Sequence, residues 1–221
     1  PDKEIENIAK QYELRAYTDK RSHVIRNSLK ETCFAVEDFQ YVMKYFREIY
    51  RKHQTEASVL LLLNSNTKKW TYFCVPQVDC STTRVNYLPP IFPYTGDNKK
   101  IARYYEEFLK VKGNQELLEK CIEEYNSLTA EGYQLYGTIH SHSNFGAFHS
   151  GVDDADEIDF DGLHITIGNV DVDWSFSARY MFAGAEDKSS VEDILGVDLA
   201  TLTNDEVIEA IEIDPYHMEL M

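Results

Sequence analysis

The stretch TEASVLLLLNSNTKKWTYFCVPQV, residues 55–78, decides the fold class. Its aliphatic run is too short and too uniformly apolar for an exposed helix, so we predict a buried strand there. The polar NSNTKK is the predicted turn, and KKWTYFCVPQV is the predicted partner strand. Before this hairpin, Val36 to His53 carries apolar side chains at helical spacing, with Glu37 and Asp38 near its start, which favours a helix.

The rest of the chain alternates connections, helices and strands. DCSTTRVNYLPPIFPYTGDNKK, residues 79–100, is rich in proline and turn-forming residues and is predicted as a long connection, a kind of segment that is often functional. Two helices, IARYYEEFLKV and QELLEKCIEEYNSL, are predicted on either side of Gly113. The predicted strands that follow are YQLYGTIHS, LHITIG and the half-buried WSFSARYMFAG, with NVDVD joining the last two as a hairpin. This order predicts an α/β fold with a mixed, largely antiparallel sheet rather than repeated βαβ units.

Composition and charge limit the classes of function that the chain can have. The 221 residues are 43% hydrophobic, enough for a sizeable core. The net charge of −16 is uneven: residues 1–110 hold 18 basic and 14 acidic side chains, residues 111–185 hold 3 and 13, and residues 186–221 hold 1 and 11. The acidic C-terminal half would repel phosphate backbones, so nucleic acid is not an expected partner.

The last 36 residues form the most acidic part of the chain. SVEDIL and TNDEVIEAIEI within residues 186–221 are predicted as short capped helices. We therefore predict an acidic C-terminal helical appendage, peripheral to the core.

Membrane and secreted classes are not expected. The longest aliphatic run, Val59 to Leu63, is far short of the roughly 20 residues that span a bilayer. No basic-then-apolar signal region opens the chain, although a start at Pro1 leads us to expect that residues upstream were removed. The four cysteines form no C-x-x-C pair, so we expect reduced thiols and a cytoplasmic protein. A Cys74–Cys80 disulfide is the alternative.

The stretch from Gly137 to Gly168 concentrates histidines and carboxylates. His140 and His142 stand two apart at the end of a predicted strand, so their rings project to the same face. Two imidazoles, a carboxylate from Asp153 and an open fourth position suit catalytic zinc, although nickel, cobalt and iron take the same ligand types. SGVD is also a helix-capping signature, so Ser150 can cap the turn that brings Asp153 back to the strand. The combined spacing should arise by chance in roughly one per thousand such sequences.

H-S-H-x7-S-x-x-D resembles the signature of the JAMM (also JAB or MPN+) zinc metalloprotease family, whose members cleave bonds after ubiquitin or ubiquitin-like proteins. The family also has a glutamate where a long helix meets a buried strand, and this chain has Glu56 there. The resemblance covers about residues 36–184, and DDADEIDFDGLHITIGN is most similar to bacterial and phage members. Ser143 replaces the usual proline, and ASVLLLL replaces a stretch that often contains glycines. Neither departure removes a ligand.

The resemblance implies a curved sheet and a metalloprotease domain over residues 1–185, with its core at about 36–184 and the acidic segment 186–221 outside it. It also implies the roles of the site residues. Zn²⁺ would be held by His140, His142 and Asp153, Glu56 would be the general base, and Ser150 would donate a hydrogen bond to the oxyanion. The expected activity is hydrolysis of peptide or isopeptide bonds at the C-terminus of ubiquitin or a ubiquitin-like protein. The loop at residues 80–100 corresponds to a substrate-contacting insertion, with the substrate tail bound as an extended strand.

Several alternatives stay open at this point. His149 is expected at the rim, and His164 is expected either as a packed strand residue or as one that supports the ligands. Asp154, Asp156 and Glu157 are expected on a solvated face, with Asp154 as the substitute ligand if Asp153 is not one. The chain could also be a catalytically silent MPN-type interaction module. A third possibility is a metal-dependent hydrolase of small amino-acid conjugates.

Overall fold

The computed structural model describes residues 31–90, 98–151, 153, 157 and 160–221. Its helices are α1 (Val36–His53), α2 (Lys99–Phe108), α3 (Asn114–Ala130), α4 (Val191–Leu195), α5 (Leu199–Leu202), α6 (Asp205–Glu209) and α7 (Pro215–Glu219). Its strands are β1 (Ser58–Asn64), β2 (Lys69–Cys74), β3 (Gln77–Ser81), β4 (Arg84–Tyr87), β5 (Tyr133–Ser141), β6 (Gly162–Gly168), β7 (Ser175–Phe182) and β8 (Ala185–Ser189).

Six strands form one sheet in the order β2-β1-β5-β6-β7-β8. All neighbours are antiparallel except β5 and β6, which run parallel. The predicted mixed, largely antiparallel α/β fold is confirmed. Because two parallel strands need a connection that returns along the sheet, the chain between β5 and β6 must cross one face of it. That connection, residues 142–161, contains the histidine and carboxylate motif.

The strand β1 is buried on both faces, as its continuous aliphatic run predicts. Val59 and Leu61 belong to the main core beside α1, whereas Leu60 and Leu62 face a smaller cluster that includes Cys121 of α3. Alternation along the strand therefore assigns α1 to one face of the sheet and α3 to the other. On this second face, α3 covers β1, and the connection at residues 142–161 contacts β6 and β7.

The predicted long connection contains a hairpin that we did not predict. The strand expected to reach Val78 ends at Cys74, and Pro76 precedes β3; proline cannot donate to a strand ladder. β3 and β4 then pair antiparallel in a separate two-stranded sheet. These strands are short and partly exposed, so they lack the apolar alternation that reveals a strand. Residues 91–97 of the connection lie outside the described residues.

The predicted peripheral acidic appendage is corrected by its packing. Residues 185–189 form β8, which pairs with β7 as an edge of the main sheet. The short helices that follow contribute Leu202, Ile208 and Leu220 to the main core, each with no exposed surface. Short helices follow from Val191 on and the segment is acidic, as predicted, but residues 186–189 are part of a strand and the apolar side chains of the helices complete the core. The predicted boundary between residues 185 and 186 therefore does not separate two packing units.

Two further sequence expectations concern cysteines and membrane spans. All four cysteines are free thiols, so the alternative Cys74–Cys80 disulfide is absent. In the part of the chain that the structure describes, no helix has the length and apolarity needed to cross a bilayer.

Candidate metal centre

Polar side chains occupy one face of the central strands. Strand register places Ser58 of β1 opposite His140 of β5, and His140 opposite Thr166 of β6. The intervening residues Ile139 and Ile165 point to the opposite face and belong to the main core. The polar face is therefore a direct consequence of strand alternation, and it forms the floor of the site.

His140, His142 and Asp153 bring three donor atoms together. The two Nε2 atoms are 3.3 Å apart, His140 Nε2 lies 3.3 Å from Asp153 Oδ1, and His142 Nε2 lies 3.5 Å from Asp153 Oδ2. Donor atoms that bind zinc tetrahedrally at its usual bond lengths are about 3.3 Å from one another. The side chains are already spaced for a single cation, and a metal ion fits this group.

A capping box orients Asp153. The Ser150 amide donates to Asp153 Oδ2 at 2.6 Å, and the Asp153 amide donates to Ser150 Oγ at 3.3 Å, which is the reciprocal pattern of such a box. Although burial opposes ionisation, hydrogen bonds from His140 and His142 hold the pKa of Asp153 below its usual value. Asp153 is therefore an ionised carboxylate facing both imidazoles.

Glu56 lies beside this group, as predicted. Its backbone amide donates to the Ser81 carbonyl at 2.8 Å, which ties the entry of β1 to the β3–β4 hairpin. The side chain is only 6% exposed and lines the same cavity as His142 and Asp153. Burial raises the pKa of Glu56 to about 7, with His142 opposing the rise and Asp153 adding to it. A carboxyl group that titrates near neutrality in a cleft is suited to proton transfer.

The cavity over the donor atoms has a volume of about 460 Å³. Residues 83–87 of the β3–β4 hairpin line it, together with Ser150 and the aromatic rings of Phe145 and Phe148. Both rings are more than half exposed. Phe148 packs edge-on against His142, with ring centroids 4.8 Å apart. The arrangement leaves a cleft lined by a strand, apolar rings and the candidate ligands.

Three neighbouring residues form a buried polar network instead of a solvated rim. His149 and Glu157, expected at the surface, have side chains only 7% exposed, and His149 Nδ1 lies 3.5 Å from Glu157 Oε2. Arg179 Nε donates to Glu157 at 2.8 Å, which explains why Glu157 is stable in a buried position. His164 is fully buried in β6, so the expectation that it is a packed strand residue is confirmed. Asp154 and Asp156 lie outside the described residues.

A signal for Glu157 was present in the sequence. It follows Asp153 by four residues, so in a helical turn the two side chains share a face. The positively charged partner of Glu157, by contrast, is Arg179, which is 22 residues away in the sequence and lies on β7. The ion pair between these two residues cannot be predicted from the sequence unless the pairing of β6 with β7 is known.

No protein-family model matches the chain, and no curated protein matches it. Among solved structures, it is similar to the solution structure of protein DSY2949 from Desulfitobacterium hafniense, with a TM-score of 0.41 and 13% identity, over 72% of this chain and 90% of that chain.

Proposed function

We propose that the protein is a zinc-dependent peptidase of the JAMM (MPN+) type. Its substrates in this proposal are peptide or isopeptide bonds at the C-terminus of ubiquitin or a ubiquitin-like protein. The observation that carries the proposal is the convergence of His140, His142 and Asp153 in one cleft with the buried carboxyl group of Glu56. The sequence motif supplies the reaction class, and the geometry supports it.

The donor set fits zinc. Two imidazole nitrogens and one carboxylate leave a fourth tetrahedral position, which is the usual composition of a catalytic zinc site. When bound, zinc would polarise the scissile carbonyl and make a water molecule more acidic. His140, His142 and Asp153 would hold the ion, and the hydrogen bond between Asp153 and the Ser150 amide would fix the carboxylate in place.

Glu56 and Ser150 supply the remaining groups. The Glu56 carboxylate would accept a proton from the attacking water and pass it to the leaving amine, for which a pKa near neutrality is well matched. Ser150 Oγ accepts a hydrogen bond from the Asp153 amide, which leaves its hydroxyl proton able to donate. In the proposed reaction this proton would stabilise the oxyanion of the tetrahedral intermediate.

The cleft suits an extended peptide. The strand β4 lines it and pairs with β3 on one side, and no described strand pairs with its other side. A substrate tail could add there as a further strand, with main-chain hydrogen bonds providing affinity. The four free thiols fit a reducing compartment, so we place the activity in the cytoplasm.

The test uses the purified full chain. We expect about one zinc per chain and cleavage of a protein fused to the C-terminus of ubiquitin or a ubiquitin-like protein. His142→Ala should lose both the metal and the cleavage. A chain that binds no metal would reject the proposal. Zinc binding without turnover would indicate a silent interaction module, and turnover of small amino-acid conjugates alone would indicate a different hydrolase.

A further inference from the structure

The helical turn that carries Asp153 is held from below by the sheet. Glu157 follows Asp153 by four residues, both residues have helical backbone, and both line the cavity over the donor atoms. Glu157 is 5% exposed and Arg179 of β7 is 3% exposed. Glu157 Oε2 accepts from Arg179 Nε at 2.8 Å and lies 2.7 Å from Arg179 Nη2. The two side chains form a buried ion pair directly below the turn.

We propose that Arg179, acting through Glu157, is a positioning residue that sets the metal affinity of the site by fixing the place of Asp153. The inference rests on the proposed metal centre and assigns it a further pair of residues. In this proposal neither Glu157, which also lines the cavity, nor Arg179 binds the metal ion.

A second contact holds the far end of the same segment. His164 Nε2 donates to the Phe160 carbonyl at 2.8 Å, and the ring nitrogen Nδ1 lies 2.9 Å from Thr138 Oγ1. A carbonyl can only accept, so Nε2 carries the hydrogen and Nδ1 accepts from the threonine hydroxyl. The segment after Asp153 is therefore attached to the sheet at both Glu157 and Phe160.

Strand register explains why these attachments set the position of a ligand. Thr138, His164 and Arg179 lie opposite one another across β5, β6 and β7. His140 stands two residues further along β5 on the same face. Glu157 accepts from Arg179 in the first row at 2.8 Å, and Asp153 Oδ1 lies 3.3 Å from Nε2 of His140 in the next row. The two carboxylates, four residues apart in the chain, therefore reach neighbouring rows of the same sheet face.

The ion pair also separates the roles of the two carboxylates. Arg179 neutralises Glu157, which lowers the tendency of this carboxylate to compete for a cation. Among the described residues, the group with metal-binding spacing contains Asp153 and not Glu157. Arg179 is itself oriented by Glu186 of β8, whose Oε2 lies 2.9 Å from Nη1. The guanidinium is thus held on two sides, which suits a positioning role.

Zinc affinity of the full chain, measured by competition with a chromophoric chelator, tests the proposal. Glu157→Gln keeps the shape of the side chain and removes its charge, and we expect zinc Kd to rise about ten- to a hundredfold, the usual effect of losing a group behind a metal ligand. Arg179→Met should weaken zinc similarly, and Arg179→Lys should recover part of the loss. Glu186→Gln is the matched control, because it removes the other carboxylate on Arg179 without contacting the turn, and its Kd should stay within about threefold of wild type.

The double variant Glu157→Gln/Arg179→Met separates positioning from loss of fold, since it leaves no unpaired buried charge. Circular dichroism of each zinc-free variant reports whether the fold is kept, and where a single variant is not folded, the double variant decides. Weaker zinc binding by a folded variant supports the proposal. Wild-type Kd in Glu157→Gln overturns it while the metal centre stands. A wild-type chain that does not bind zinc overturns the metal centre itself.

Discussion

The carbonyl of Leu220 accepts a hydrogen bond from the backbone amide of Gln77 at 2.7 Å. The Gln77 side chain in turn bonds both the amide and the carbonyl of Ser58, at 2.9 and 2.7 Å, two residues after Glu56. The C-terminal end is therefore connected through β3 to the strand that begins beside the candidate base. The acidic segment supports the cleft as well as the core.

Removing the Leu220 side chain should destabilise the whole domain. The residue is fully buried in the main core, so Leu220→Ala should lower the free energy of unfolding by about 2–5 kcal/mol. Val207→Ala is the control, since Val207 is 46% exposed in the same segment and should cost far less. Urea unfolding measures both. Equal stability of the two variants would show that the segment is peripheral.

Truncation after Gly184 tests the same packing on a larger scale. The cut removes the edge strand β8 and the buried side chains of Leu202, Ile208 and Leu220. Because a domain is stable by only about 5–15 kcal/mol, we expect the truncated chain to lose cooperative thermal unfolding. A truncated protein with a wild-type melting transition would restore the predicted boundary at residue 185.

Acid should weaken the docking of α6 on α1. Hydrogen bonding to Lys44, against a smaller effect of burial and with help from Arg47, lowers the pKa of Glu209 to about 2. A depressed pKa means that the carboxylate stabilises the fold above its unfolded pKa and loses this contribution as the pH falls through about 2. Glu209 is partly exposed, so we expect a contribution of about 1 kcal/mol or less.

The measurement is urea unfolding of wild type and Glu209→Gln at several pH values. The stability difference between them should be present at pH 7 and shrink as the pH is lowered toward 2. Glu212→Gln, which changes an exposed carboxylate in the same segment, should show no such pattern. A difference that does not change with pH would contradict the ion-pair explanation.

Strong local patterns allowed several elements to be predicted from the sequence. The helix Val36–His53 has the predicted bounds because its apolar spacing is regular, and the strand Tyr133–Ser141 also has the predicted bounds. The hairpin of β3 and β4 was missed because its strands are short and partly exposed. The burial of Leu202 and Ile208 was not predicted, because the high net negative charge of residues 186–221 favoured a solvated segment although a few of its side chains are apolar.

The residues of the candidate site also differ in how far the sequence predicts them. His140, His142, Ser150 and Asp153 lie within 14 residues of one another, so a motif can include them all. Glu157 is close to them in sequence, but its burial depends on Arg179, whose place below the turn is set by the register of β6 and β7. Long-range pairing of this kind cannot be inferred from a single sequence.

Ser150 should act in both folding and catalysis. Ser150→Ala removes the N-cap of the turn that carries Asp153, at a cost of about 1 kcal/mol. If its hydroxyl also stabilises the oxyanion, the rate should fall by about 10² to 10³. Ser190→Ala is the matched control, because Ser190 caps α4 in the same way. Ser190→Ala should lower the free energy of unfolding by a similar amount and leave the cleavage rate unchanged. If the two variants cleave at the same rate, Ser150 acts only as a helix cap.

Glu56→Gln tests the proposed base most directly. The amide has nearly the same shape but cannot accept a proton, so we expect the variant to keep its fold and its zinc while the cleavage rate falls by about 10² to 10⁴. His142→Ala should instead lose metal and activity together. Metal content and the rate on a ubiquitin-like fusion are measured on the same preparations. A zinc-loaded Glu56→Gln protein with a rate within a few-fold of wild type would exclude Glu56 as the base. An inactive variant that has also lost zinc would make Glu56 a ligand, a role for which it would have to approach His142 and Asp153 more closely than it does here.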